Sequence, residues 1–244
     1  MNATVAVLTL RTLLGRRRAW LLLVLPAVLL VLSVILRATV DAESRQEVAV
    51  GLLGVFALAT LVPLLGLIAG TGAIGPEIDD GSIVYLLAKP LSRHSIVVTK
   101  LVVAVAVVTV FGALPVLLSG LILTGTADGL AVGFGVAALV AGGAYCALFL
   151  LLAVLTRNAV VVGLIYALVW ESLVGSVVPG AQALSIQQWA SALTRAIVGE
   201  DADALDVTSA VRLGIAVPLL AVLVVATTAF AGSRLRSLRL TGEE

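Results

Sequence analysis

Charge is what this sequence has least of. Only 12% of its 244 residues are Asp, Glu, Lys or Arg, against 61% apolar. A soluble domain runs to about a quarter charged and roughly half apolar. A soluble monomer this apolar has to expose large apolar patches, which soluble monomers avoid; a bilayer removes the conflict. The net charge of +1 excludes a global basic field for nucleic acid. A single cysteine, Cys146, excludes an internal disulfide, and its place in an apolar run leaves the redox compartment unread. One Met and one His leave a soft-metal or copper pathway short of ligands. Lysine occurs only at Lys89 and Lys100.

What is present is long apolar runs. A membrane span needs about 20 mainly apolar residues, roughly 17–25, and six segments qualify: 19–36, 48–74, 96–123, 130–155, 159–178 and 213–230. Pro63, Pro115 and Pro218 lie in the second, third and sixth. Only helices and closed barrels satisfy their backbone in lipid. These runs are continuous and lack period-two alternation, so they read as helices. The expected fold is an all-α polytopic membrane protein with six transmembrane helices in a single domain over 1–244. The basic flank of the first run suits a signal peptide. The run is long, however, and Arg37 to Asp41 lacks an A-x-A pattern, so a retained anchor is expected.

Arg and Lys placement sets orientation. With the N-terminus inside, the segments 1–18, 75–95, 156–158 and 231–244, together with Lys100, hold eleven of the fifteen basic residues. The outer pieces hold only Arg37, Arg45, Arg195 and Arg212, against Asp41, Glu43, Glu47, Asp128, Glu200, Asp201, Asp203 and Asp206. The opposite orientation inverts this bias, so both termini are expected in the cytoplasm.

Three elements do not span. In 1–18, Ala3, Val7, Leu10 and Leu14 share one helical face while Thr4, Arg11 and Arg18 share another. This suits a helix lying in the interface; the alternative is a basic tail that only sets topology. In 76–95, Pro76 suits a helix's first turn with Glu77, Asp79 and Asp80 beside its positive end. Ile83, Leu86 and Leu87 make an apolar stripe, Lys89 falls in the last turn, and Pro90 stops it. Ser92 then caps the next helix. Such a helix presents a face to a soluble partner or packs on its own bundle, and the residues allow both. In 179–212, Ile186, Trp189, Leu193 and Ile197 oppose Gln187, Gln188, Ser191 and Arg195. This suits an outer interfacial helix with Trp189 at the headgroup level, or a lid over an export path.

Catalytic motifs fail on inspection. Gly70-Thr71-Gly72-Ala73-Ile74-Gly75 matches G-x-G-x-x-G but ends an apolar run and meets Pro76, whereas the dinucleotide reading needs a strand before and a helix after. Close helix packing is the better use for Gly66 and Gly70, for Gly129 and Gly133, and for Gly142-Gly143. There is no H-E-x-x-H, and His94 lies in the inner loop. No serine or aspartate pairs for an intramembrane protease occur in the spans. The residues thus supply no catalytic, cofactor or metal site, and no G-x-x-x-x-G-K-[ST] binds ATP on this chain. Glu171 stands out. It lies roughly 18 Å into its span at 1.5 Å per residue, where a carboxylate costs about 2.5–3.5 kcal/mol on insertion scales and faces the bundle or an aqueous cavity. It reads as a proton or cation site, a gate contact, a bond to a symmetry mate, or a structural carboxyl fixing helix packing. A protonated carboxyl there predicts that Glu171→Gln folds normally.

Taken in order, Glu77, Gly81-Ser82, Leu86-Leu87, Lys89-Pro90, Ser92-Arg93 and Lys100 resemble the inner loop of type-2 ATP-binding-cassette (ABC) exporter permeases. The six-span layout, the N-terminal interfacial helix, the long last outer loop and the stretch from Tyr166 to Gln188, with Trp170-Glu171 and Val178-Pro179-Gly180, resemble that family too. The resemblance implies a permease subunit in a cell (plasma or inner) membrane, paired as a homodimer or close heterodimer and docked on two separate ABC ATPase subunits that hold ATP and Mg. The segment 76–95 becomes the coupling loop, with Glu77, Gly81, Ser82, Leu86, Leu87, Lys89, Pro90 and Arg93 at the ATPase surface. The first helix becomes the elbow helix. Cargo is not implied. Two other classes compete: an ion-coupled carrier or channel titrating Glu171, and a membrane scaffold that moves nothing. A single intramembrane acid without a basic or His partner is thin for a proton relay, and no inverted repeat is evident.

Overall fold

The apolar runs become helices because lipid offers the backbone no other partner. The computed structural model describes residues 3–82, 92–125, 129–174 and 180–237, and among them there is no strand. The helices are α1 (Ala3–Leu13), α2 (Arg16–Thr39), α3 (Arg45–Gly51), α4 (Val62–Asp79), α5 (Arg93–Val108), α6 (Leu114–Thr124), α7 (Leu130–Leu155), α8 (Ala159–Ile165), α9 (Ile186–Val198) and α10 (Leu213–Ser237). Wide π-type turns continue α3 into α4 over Leu52–Leu61, α5 into α6 over Thr109–Ala113, and α8 onward over Tyr166–Val174.

Five continuous helices among the described residues are long and apolar enough to cross a membrane: Ala19–Thr39, Ala42–Asp79, Arg93–Thr124, Leu130–Leu155 and Leu213–Leu235. They match five of the six predicted spans, with ends extended by a few residues. The remaining span, predicted over 159–178, is helical from Ala159 to Val174, and 175–179 fall outside the described residues.

Helix α7 stands at the centre and packs against α4, α5, α6, α8, α9 and α10. Its composition explains this. Most of its apolar surface is buried, with Val132, Leu139 and Leu155 left exposed, and its alanines and glycines let neighbours come close. A Cβ added at Gly66 would lie 2.6 Å from Tyr145 Cβ, and one at Gly70 would lie 2.8 Å from the Cys146 carbonyl oxygen. So the Gly66-xxx-Gly70 pair is where α4 and α7 touch. Gly133 meets Thr194 of α9 and Gly142 meets Val108 of α5 in the same way, at 3.1 and 2.6 Å. Gly143 has only Val105 Cγ2 at 3.9 Å and is not needed for close packing.

The outward surfaces are apolar. Trp20, Leu23 and Val31 of α2, Val160, Val161 and Ile165 of α8, and Val222, Val225 and Phe230 of α10 are all exposed. That surface suits acyl chains rather than water. Helix α2 is tied to α6 by a hydrogen bond between the buried Ser33 and Ser119 hydroxyls.

Two π stretches end just before a helix with proline in its first turn, Pro63 in α4 and Pro115 in α6. Proline lacks an N–H and its ring crowds the carbonyl four residues back; a locally widened turn re-satisfies the freed groups. Pro26 and Pro218 sit inside α2 and α10 without such turns, so proline alone does not produce them.

Candidate functional site

One end of the bundle gathers most of the residues singled out in the sequence. Helix α4 runs through Pro76 and stops at Asp79, with Asp80 as its cap and Gly81 following at φ 70°. The Asp80 N–H donates to Pro76 O at 2.9 Å and the Gly81 N–H to Ile78 O at 3.2 Å. Glycine is required there because a left-handed residue ends the helix. This corrects the expectation that Pro76 opens a separate helix. A proline forfeits only its own N–H, and the preceding apolar helix, packed on α7, carries on past it. Asp79 and Asp80 therefore sit at the negative end of α4, not at a positive one, and both are exposed to solvent.

Ser92 caps α5 as predicted, its Oγ accepting from the Ser95 N–H at 3.3 Å. Arg93 opens that helix, and one of its guanidinium nitrogens, Nη1, is buried without a hydrogen-bond partner. The Ser82 hydroxyl donates weakly, at 3.5 Å, to Glu77 O. The candidates Leu86, Leu87, Lys89 and Pro90 lie at 83–91, outside the described residues, as does any helix between Ser82 and Ser92.

At the root of this loop lies Lys100, wholly buried although charged. Its Nζ donates to Glu77 Oε1 at 2.7 Å, to Ala73 O at 2.6 Å, and toward Thr9 Oγ1 at 3.5 Å, the outer limit of hydrogen bonding. An ammonium has three donors, and here three elements, α1, α4 and α5, supply and receive them. Glu77 is 24% exposed in its side chain, so the pair is sealed on the lysine side and open on the acid side. Thr9 itself donates to Val5 O at 2.8 Å. Helix α1 docks on α4 and α5 through buried Val5, Thr9 and Leu13. Its predicted apolar face, Val7, Leu10 and Leu14, points outward, as an interfacial helix requires. The C-terminal helix reaches the same end, because a Cβ on Gly232 would lie 2.7 Å from the His94 ring.

Sequence reasoning missed the Glu77–Lys100 contact. The available signal was a lone lysine inside an apolar run, which demands an acidic or carbonyl partner.

The second cluster surrounds Glu171, which is wholly buried. Its Oε1 accepts from the Tyr166 hydroxyl at 3.0 Å and the Ile186 N–H at 3.1 Å. Its Oε2 accepts from the Ser185 hydroxyl at 2.5 Å and the Gln187 N–H at 3.3 Å. Ser185 is also the N-cap of α9, accepting from the Gln188 N–H at 3.3 Å. A carboxylate thus closes the N-terminus of α9, where free N–H groups and the helix dipole favour negative charge. Of the readings left open for Glu171, the structural one describes this geometry: the carboxyl fixes α9 to the helix that precedes it.

Helix α9 also departs from expectation. Trp189 is only 6% exposed and its indole N–H donates to Ala183 O at 2.8 Å. With Ile186, Ala190 and Thr194 it is buried within the protein, on a helix that packs against α7. The small residues of α7 decide this: Gly133 allows Thr194 to approach and to donate to its carbonyl at 3.3 Å. Beside α9 opens a cavity of about 410 Å³ lined by Glu47, Gly54, Phe134, Gln187, Gln188 and Asp206, among others.

Comparison with known families places this architecture. The family described as ABC-2 family transporter protein matches residues 3–233, nearly the whole bundle, and no curated protein matches the chain. The chain therefore belongs to the ABC-2 transporter family: it is an ABC-2 type permease, the multi-pass membrane component of an ABC transporter.

Proposed function

We propose that this permease is the membrane-spanning half of an ATP-driven exporter. Two copies, or one copy and a close homologue, form the path, and each docks on a separate ABC ATPase through the segment 76–95. The observation that carries this reading is family membership over residues 3–233 in a chain with no phosphate-binding loop of its own. ATP and Mg then belong to the partner subunits. The charge bias puts the Glu77 end in the cytoplasm of the cell membrane, where a soluble ATPase can reach it. Gly81 and Ser92, which bound the middle of that segment, lie at the same end as α1 and the C-terminal helix, so a subunit seated there touches the elements that must move. Closure of the ATPase pair on ATP then tilts α4 and α5 and turns the path outward.

The test is co-purification. Tagged permease extracted from its native membrane in mild detergent is expected to bring an ABC ATPase with it. Leu87→Asp and Arg93→Glu are expected to lose that subunit while inserting normally. A wild-type permease that brings no ATPase overturns the exporter reading, and Glu171-dependent ion flux becomes the reading to test. Variants that keep the ATPase remove those two residues from the docking surface.

A further inference from the structure

The buried Lys100 asks for an explanation beyond stability. Taking an ammonium out of water costs several kcal/mol, and a well-packed apolar pair of similar volume is often as stable or more so. Buried ion pairs are best attested where they define a register between elements. Here the elements are the two that bear the loop. Glu77 and Ala73 lie in the last two turns of α4, and Lys100 lies in the second turn of α5. Between them in sequence lies the segment bounded by Gly81 and Ser92. Nζ holds one acceptor from a side chain and one from the backbone of α4, at 2.7 and 2.6 Å, so α4 cannot slide or rotate against α5 without breaking both. Glu77 Oε2 is buried with no hydrogen-bond partner. Thr9 brings α1 to the same nitrogen.

We propose that Lys100 is a positioning residue of the transport cycle: it clamps the base of the loop, so that a displacement of the loop moves α4 and α5 as one body instead of flexing the two helix ends apart. The proposal rests on the exporter reading above. Under that reading the loop takes the push of the ATPase, and a loop whose two roots slide independently absorbs the push locally. Nothing in this role needs Lys100 to touch cargo or nucleotide.

The experiment uses the full chain with its ATPase in lipid nanodiscs, in a Cys146→Ala background. Spin labels are placed at Val102→Cys on α5 and Val161→Cys on α8, both outward-facing, and their separation is measured without and with ATP. Wild type is expected to show an ATP-dependent change. Lys100→Met is expected to keep the ATPase bound and to lose that change. Lys100→Arg, which keeps donors for both Glu77 and the Ala73 carbonyl, is expected to retain it. If Lys100→Met does not fold, the neutral Lys100→Gln, which ends the ion pair while keeping a polar group in the site, carries the same test. An ATP-dependent change that persists in Lys100→Met or Lys100→Gln overturns the clamp and leaves the exporter reading intact. A wild-type complex that binds ATPase but shows no change overturns the clamp as well. Absence of any ATPase from wild type overturns the exporter reading, and the clamp falls with it.

Discussion

Replacing Glu171 by Gln changes a single oxygen for an NH₂ group, and the geometry makes that change costly. Each carboxylate oxygen receives one hydroxyl and one backbone N–H: Tyr166 and Ile186 on Oε1, Ser185 and Gln187 on Oε2. Whichever way the amide of Gln turns, its NH₂ faces one of the two backbone N–H groups. A hydroxyl can rotate and accept; an N–H cannot. One buried donor is then left without a partner, worth about 1–3 kcal/mol. The variant also loses the favourable placement of a charge at the N-terminus of α9, worth about 0.3–1 kcal/mol and up to ~2 in partly buried sites. The sum is roughly 1–5 kcal/mol. This reverses the sequence-based expectation that a protonated carboxyl tolerates Gln. The assay is thermal unfolding of purified protein in detergent, followed by tryptophan fluorescence, to which Trp189 in the first turn of the capped helix contributes with Trp20 and Trp170. A midpoint several degrees below wild type is expected, with a larger drop for Glu171→Ala, which exposes both N–H groups. A Gln variant that unfolds at the wild-type temperature refutes the capping argument and returns Glu171 to the roles that need only a neutral carboxyl.

Two further predictions concern packing and surface charge. Gly70→Ala drives a methyl to 2.8 Å from the Cys146 carbonyl of α7 and is expected to cost about 1–3 kcal/mol by overpacking. Gly51→Ala meets nothing within 4 Å and is expected to gain up to ~1 kcal/mol of helix propensity; a Gly70→Ala midpoint at or above wild type contradicts the α4–α7 contact. Arg195 and Asp203 are paired at 2.6 Å but are 42% and 79% exposed. Arg195→Ala is therefore expected to lower stability by less than ~1 kcal/mol, and a larger loss in the same assay assigns Arg195 another partner.

Most of the fold was legible along the chain because lipid imposes a one-dimensional rule. A run long enough to cross hydrocarbon must be a helix, and its flanking charges set its direction, so five predicted spans return as continuous helices. Local hydrogen-bonding rules worked over similar distances: Ser92 caps α5 through a residue three positions on, and Gly66-xxx-Gly70 marks a close helix contact whoever the neighbour is. Those features depend on composition and on residues within a turn or two of each other.

The rest depended on which surfaces meet. Pro76 looked like a helix start because proline and three acids suit one, but burial of α4 against α7 carries the helix on to Asp79. Trp189 looked like a headgroup anchor because its helix is amphipathic. The glycines of α7 instead open a seat for α9 inside the bundle. Lys100 and Thr9 are 91 positions apart, and Glu171 finds its partners 14 to 16 positions on, across the 175–179 segment. No local rule joins such pairs. By itself, the sequence determined that Glu171 lies inside an apolar run and needs partners. Only the tertiary structure decided the partners, because an unpaired buried charge is expensive but any acceptor or donor brought within about 3 Å by packing can satisfy it.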